Sequence, residues 1–314
     1  MAKGTNYGLR TRDLGKAGQF AANAAARAGS MSYASAAAVG QRWQAFAAYA
    51  RAEGVKRLEG VSGQLVASYA QGIAGRVSAG ELSAAYGQNL VSAVNSVMGL
   101  ATRGEWASVS PTKDGGIAAR VNVRTEAPGG LDRGAVAATA DLLRSAGNAN
   151  GAAVVELARD FGLRAKEASL LDARRALQEG QERGRVTISA GTKGGRVREV
   201  PIRHPGQLET LARAAAVQDQ ARSLVPQGQT WAQWEAGGLR EAREALQGQG
   251  ISRIHELRSA YAVDRYREET RGHLPRMMGG KASREADRAA RLVIARELGH
   301  SRIAVTVSYL GSMR

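Results

Sequence analysis

His255-Glu-Leu-Arg258, then Leu298-Gly-His300, then Tyr309-Leu310 are the segments on which the reading of this chain turns. Each has an ordinary reading on its own. His255 would be a surface imidazole near a helix start, Arg258 a solvated cation, and Tyr309 beside Leu310 a core tyrosine close to the last residue of the sequence. Those readings predict no order among distant segments. A His-x-x-Arg occurs by chance in any fold, but a Leu-Gly-His followed nine residues later by Tyr-Leu does so far less often.

Composition narrows what such residues would act on. The chain has 314 residues, room for two domains at roughly 100 to 200 residues each. Its 44 basic against 28 acidic residues give a net charge of +16, which draws a polyanion toward the surface. Nucleic acid is therefore the expected partner. An acidic membrane surface is the poorer choice: no apolar run approaches the roughly 20 residues that cross a bilayer, and Met-Ala-Lys-Gly-Thr-Asn-Tyr has no hydrophobic segment of a signal peptide, so a cytoplasmic, nucleoid-associated protein is expected. Zero cysteines rule out disulfides, thiolate zinc sites and a cysteine nucleophile. His204, His255, His273 and His300 fall in no metal-binding spacing, so neither metal nor cofactor is expected. Arginine, lysine, histidine and tyrosine are left to do the chemistry. Only seven of the basic residues are lysines. Arginine is a permanent planar cation, whereas lysine can release a proton, which singles out Lys193.

Working outward from these residues, the chain reads as mainly α with a small β-hairpin. Apolar residues at helical spacing predict helices over 13–28, 33–53, 62–73 and 81–101, with Trp43, Phe46, Tyr69, Leu90 and Val94 facing a core. Residues 1–106 form an all-helical domain on this reading. The breaker-rich stretch 107–116 is a linker, and 117–314 is a mixed α+β domain. In the latter, helices are predicted at 131–145, 151–161, 165–178, 207–222, 231–247, 255–268, 285–298 and 302–308. Strands at 185–190 and 196–202 flank Gly191-Thr-Lys193-Gly-Gly195, which places Lys193 at a hairpin tip. Residues 269–284 read as an irregular insertion. Trp231 and Trp234 read as packing and His204 as surface, while Arg174-Arg175 fits a solvated face or a phosphate contact equally.

The C-terminal segments, together with Gly162-Leu-Arg164-Ala-Lys-Glu167 and the Lys193 hairpin running into Arg198-Glu-Val-Pro-Ile202, resemble the tyrosine recombinase, or phage integrase, family. Over residues 162 to 309 the resemblance supplies six catalytic positions in order: Arg164, Lys193, His255, Arg258, His300 and Tyr309 as nucleophile. It implies a helical, SAM-like core DNA-binding domain ahead of a recombinase catalytic domain. It further implies double-stranded DNA as substrate, a homotetramer on that DNA, and accessory DNA-bending proteins. The expected activity is site-specific cleavage and rejoining through a 3′-phosphotyrosyl intermediate, as in integration or excision of a phage or mobile element. The alternatives are relaxation of DNA in the manner of a type IB topoisomerase, or a non-catalytic DNA-binding protein on the same scaffold.

The chemistry suits the residues. A phosphodiester gathers extra negative charge in its transition state, and the forks of Arg164 and Arg258 would clamp it. Tyrosine, with an ordinary pKa of about 10, needs a neighbour to take its proton; His255 is the candidate base or proton shuttle. The departing 5′-oxygen must be protonated, a task for Lys193 that no arginine could do. His300 is expected to hydrogen-bond a phosphate oxygen and to position the helix that carries Tyr309.

Overall fold

Alanine-rich amphipathic segments, each opened by a Ser or Asp whose side chain caps a free backbone N–H, form the N-terminal helices. They are α1 (Leu14–Arg27), α2 (Tyr33–Ala52), α3 (Gly63–Ser78) and α4 (Ala84–Ala101). The computed structural model describes residues 5–313, and these divide into two units between Val121 and Asn122.

The first unit packs Trp43, Phe46, Tyr69, Val91, Val94 and Met98 into one core. Gly18 is a requirement of close approach, since a Cβ there would lie 2.2 Å from Nε1 of Trp43, which donates to the Leu14 carbonyl at 2.9 Å. The breaker-rich stretch 107–116 lies within this unit. Asn95 on α4 accepts from Trp106 Nε1 and the Val109 N–H, both at 3.0 Å, and donates to the Val109 carbonyl at 2.8 Å. Val109 and Ile117 enter the core. Glycines and a proline here mark tight turns laid on a helix.

The second unit is built from α5 (Arg133–Ser145), α6 (Ala149–Phe161), α7 (Ala165–Leu170), α8 (Ala173–Arg183), the hairpin β1 (Arg185–Ile188) and β2 (Arg198–Pro201), α9 (Pro205–Gln218), α10 (Trp231–Ala236), α11 (Gly238–Gly248), α12 (Ile254–Glu269), α13 (Arg284–Glu297) and α14 (Val307–Leu310). The predominantly helical class with one small sheet is as expected. The strands pair antiparallel, Val186 opposite Val200, and are shorter than their sequence pattern suggested.

Two segments read as single helices are each broken in two. Leu171 is extended and buried, and the Asp172 carboxylate caps the restart, so 165–178 becomes α7 and α8. Gly237, at φ −104° and ψ −106°, breaks 231–247 into α10 and α11. The predicted helix 302–308 is a 3-10 turn over Ile303–Thr306 running into α14, which extends past Tyr309. The insertion is ordered around a 3-10 turn at Arg276–Met278, with Met277 and Met278 against the core.

Candidate active site

Gly162 ends α6 in the left-handed conformation, φ +60°, at a point where a Cβ would collide with Tyr261 and Leu298. Leu163 is buried, and Arg164 then caps α7. Three residues on, Glu167 reaches back: its Oε2 accepts from the Arg164 N–H at 2.8 Å, and its Oε1 pairs with the Arg164 guanidinium. The Gly-Leu-Arg…Glu pattern is thus a helix stop, a core anchor and a helix start that bring an arginine to the site.

His255 and Arg258 lie one turn apart on the first turns of α12 and face the same way. Arg258 is wholly buried. Its Nη1 donates to the Gly162 carbonyl and its Nη2 to the Leu298 carbonyl, so the ends of α6 and α13 aim it. Its Nε donates to the Tyr309 hydroxyl at 3.3 Å, and its guanidinium lies 5.7 Å from the centre of the Tyr309 ring. Gly299, at φ +69°, terminates α13 and turns His300 inward, where Nε2 lies 3.1 Å from the Tyr309 oxygen. The His255 ring sits 5.4 Å from the Tyr309 ring, centre to centre.

Arg258, His255, His300 and Tyr309 therefore converge. The imidazole within hydrogen-bonding reach of the tyrosine oxygen is that of His300. Lys193 is apart from them: it is exposed at the hairpin tip and makes no hydrogen bond or ion pair among the described residues.

Burial, followed by the positive charge of Arg258, holds both imidazoles down to about 4, so both are neutral near pH 7. Arg253 adds to the effect at His255, and Arg164 and Arg198 at His300. His255 keeps a water-exposed face, which weakens the desolvation there relative to the partly covered His300. Because Arg258 donates to the Tyr309 oxygen, the tyrosine proton is free to point at His300, whose neutral Nε2 can accept it.

Further residues build the site without having stood out in the sequence as part of it. Arg198 on β2 is buried and grips Glu167 in a two-pronged pair, Nη1 to Oε1 at 3.0 Å and Nη2 to Oε2 at 2.7 Å, while Nε donates to the Glu297 carbonyl at 2.7 Å. Burial alone would raise the Glu167 carboxyl; the Arg198 hydrogen bonds and charge outweigh it and bring it to about 2. A signal for Arg198 existed: strand alternation places it on the same inward face as Val200. Arg124 joins α12 to the tyrosine segment, pairing with Glu256 at 2.7 Å and donating its backbone N–H to the Val307 carbonyl at 2.9 Å. Trp234, read as packing, is buried and donates to Ser169 at 3.0 Å.

Residues 125–264 match the model of the family described as Integrase. Among solved structures the chain is similar to that of XerH site-specific recombinase bound to palindromic difH substrate, in a post-cleavage complex: 16% identity, TM-score 0.58, covering 96% of this chain and 81% of that one. XerA recombinase is a more distant match, at 14% identity and a TM-score of 0.39, covering 95% of this chain and 94% of that one. No curated protein matches. The XerH likeness establishes the fold, and the integrase model covers the part of the chain that carries Arg164, Lys193, His255 and Arg258.

Proposed function

We propose that the protein is a site-specific DNA recombinase that cuts one strand at a time through Tyr309. The observation that carries this reading is the Tyr309 hydroxyl, held between Arg258 Nε and neutral His300 Nε2 within a cluster rich in arginine. In the reaction, the Tyr309 oxygen attacks the phosphorus as its proton passes to His300. The bond from phosphorus to the 5′-oxygen breaks, and that oxygen takes a proton from the Lys193 ammonium. The products are a 3′-phosphotyrosyl protein and a free 5′-hydroxyl; reversal with another strand's 5′-hydroxyl completes exchange.

Arg258 uses three of its five N–H groups on Tyr309 and the two carbonyls, and its Nη1 also lies 3.6 Å from Glu167 Oε2, which leaves an N–H on Nη2 for a phosphate oxygen. Arg164 is the second arm of the clamp. Tyr309 and Arg258 are both covered in the free protein, with the ring lying over the guanidinium. Entry of the phosphate and swinging of the ring off Arg258 therefore belong to one step. His255 lies beside the ring as a secondary proton carrier. Exchange between two duplexes calls for one such centre per strand, hence a homotetramer on DNA, and a substrate of this kind places the protein in the cytoplasm with the nucleoid.

The test mixes the protein with duplexes of randomised sequence, denatures, and sequences the DNA that stays attached. A common motif joined to Tyr309 by its 3′-phosphate is the expected result. Attachment through another residue, or none from any duplex, would sink the proposal.

A further inference from the structure

Tyr309 is carried by α14, a single turn of four residues. A helix that short has no stability of its own in water, so its place must be imposed from outside. Two arginines impose it. Arg291, on α13, is fully buried and spends every N–H it has. Nη1 donates to Thr306 Oγ1 at 3.2 Å and to the Gly311 carbonyl at 3.1 Å. Nη2 donates to the carbonyls of Leu310 at 3.4 Å and Ser312 at 3.0 Å. Nε is held by both oxygens of Asp287, at 2.9 and 3.1 Å, and Asp287 in turn accepts from the Tyr266 hydroxyl at 2.8 Å.

From the other end, Arg124 holds the carbonyls of Val307, at 2.9 Å through its backbone, and of Ser308, at 3.4 Å through Nε. Gly311 completes the turn at φ +73°, where a Cβ would come within 2.9 Å of the Arg124 carbonyl and 2.8 Å of Met277.

The tyrosine segment is thus held on both sides of the nucleophile, by residues that do not touch its hydroxyl. We propose that Arg291 is a positioning residue for the cleavage step: its fork fixes the backbone after Tyr309, so that the ring can swing onto a phosphate while the main chain stays in place. Lysine could not replace it, because one ammonium cannot serve Asp287 and three carbonyls at once. This rests on Tyr309 being the nucleophile.

Arg291→Lys in the full chain keeps a cation beside Asp287, so the buried carboxylate is not left unpaired. On duplexes of randomised sequence it is expected to form covalent adduct about 10²-fold more slowly, the cost of misplacing a reacting group by about 1 Å, with duplex binding unchanged. A second measurement takes the tyrosine out of the reaction. In Tyr309→Phe, added hydroperoxide can attack the clamped phosphorus in place of the phenol and expel the 5′-oxygen. Adding Arg291→Lys to that variant should leave peroxide-driven nicking unchanged, because the phosphate clamp survives and the tyrosine turn no longer matters. If peroxide nicking falls as far as adduct formation does, Arg291 supports the whole site and the positioning role is overturned. Adduct formation at the wild-type rate overturns it too. A wild type that forms no adduct, beside a Tyr309→Phe that peroxide cannot rescue, brings down the reading of Tyr309 and this role with it, and the wild-type control tells that failure from the others.

Discussion

The two units solve the problem of a basic chain in opposite ways. In the first, the core is alanine, aliphatic and aromatic side chains, and its arginines pair at the surface, as in Arg51–Asp13 and Arg76–Glu81. In the second, Arg159, Arg198, Arg258, Arg265 and Arg291 are all buried. Burying a guanidinium costs several kcal/mol unless each N–H finds a partner, and apolar residues of similar size would often be more stable. A unit that accepts this cost five times is organised around cations: Arg258 donates to the Tyr309 hydroxyl, Arg198 anchors Glu167, and Arg291 holds the turn that carries Tyr309. The first unit carries the inexpensive version of a helical core, the second a preorganised charge cluster.

The sharpest way to break that contrast is at the tyrosine. Tyr309→Phe keeps the ring and its packing and removes only the oxygen, so covalent attachment to DNA should vanish while duplex binding, read by filter retention, persists. Residual adduct would mean that another residue is the nucleophile. Arg258→Ala should cost about 10² to 10³-fold in adduct formation, the usual loss of an oxyanion donor. It should also destabilise the second unit by roughly 3 to 5 kcal/mol, the penalty of breaking a buried charge arrangement, in chemical denaturation. A near-wild-type result on both counts would make Arg258 an ordinary arginine.

Lys193 stands outside the cluster in the free protein, and its role is separable by chemistry. Lys193→Ala should fail on normal DNA and recover on duplexes whose bridging 5′-oxygen is sulfur, a leaving group that needs no proton. Equal defects on both substrates would leave Lys193 with phosphate binding alone.

The convergence of His255, Arg258, His300 and Tyr309 was legible because each sits at a helix boundary written in local signals: the glycine stops at 162 and 299, and the i, i+3 spacing of α12. Which histidine faces the hydroxyl was not legible. That depends on how the turn at Gly299 rotates residue 300, a matter of one dihedral. Nor were the breaks at Leu171 and Gly237, where burial of one residue and an unusual backbone conformation interrupt otherwise helical periodicity. Arg124 and Arg291 were invisible for another reason: they act on backbone carbonyls, which carry no side-chain signature. The stretch at 107–116 shows the limit of breaker counting, since Asn95 ties it to α4 by contacts that composition cannot register.

Acid should separate the units next. A histidine whose pKa is held down in the folded state binds its proton more readily when unfolded, so acid favours unfolding. The contribution of His300 is intact above its ordinary value of 6.5 and is lost as the pH falls toward about 4. That of Glu167, held below its usual 4.5, is present above that value and is lost toward about 2. His255 adds less, being screened by water at its exposed face. In the first unit, Tyr69, raised by burial to about 12, has no part in this range. Hydrogen exchange between pH 7 and 4 should show the second unit losing protection first. Simultaneous loss would mean that the buried cluster is not its weak point.

The smallest expected effect sharpens the comparison most directly, because it sets the same pair chemistry in two surroundings. Arg76 and Glu81 meet at 2.9 Å, with more than half of each side chain in water. Arg198 and Glu167 meet at 2.7 Å, with almost none. A double-mutant cycle on the first pair should return a coupling between 0 and about 1 kcal/mol that shrinks with added salt, since water and ions already screen both charges. The same cycle on the second pair should give a larger coupling that salt barely alters. Much of that would be the penalty of leaving either partner buried alone, which the cycle isolates by removing both. Equal couplings would mean that burial does not set the worth of these arginines, and the distinction between the two units would then be one of geometry alone.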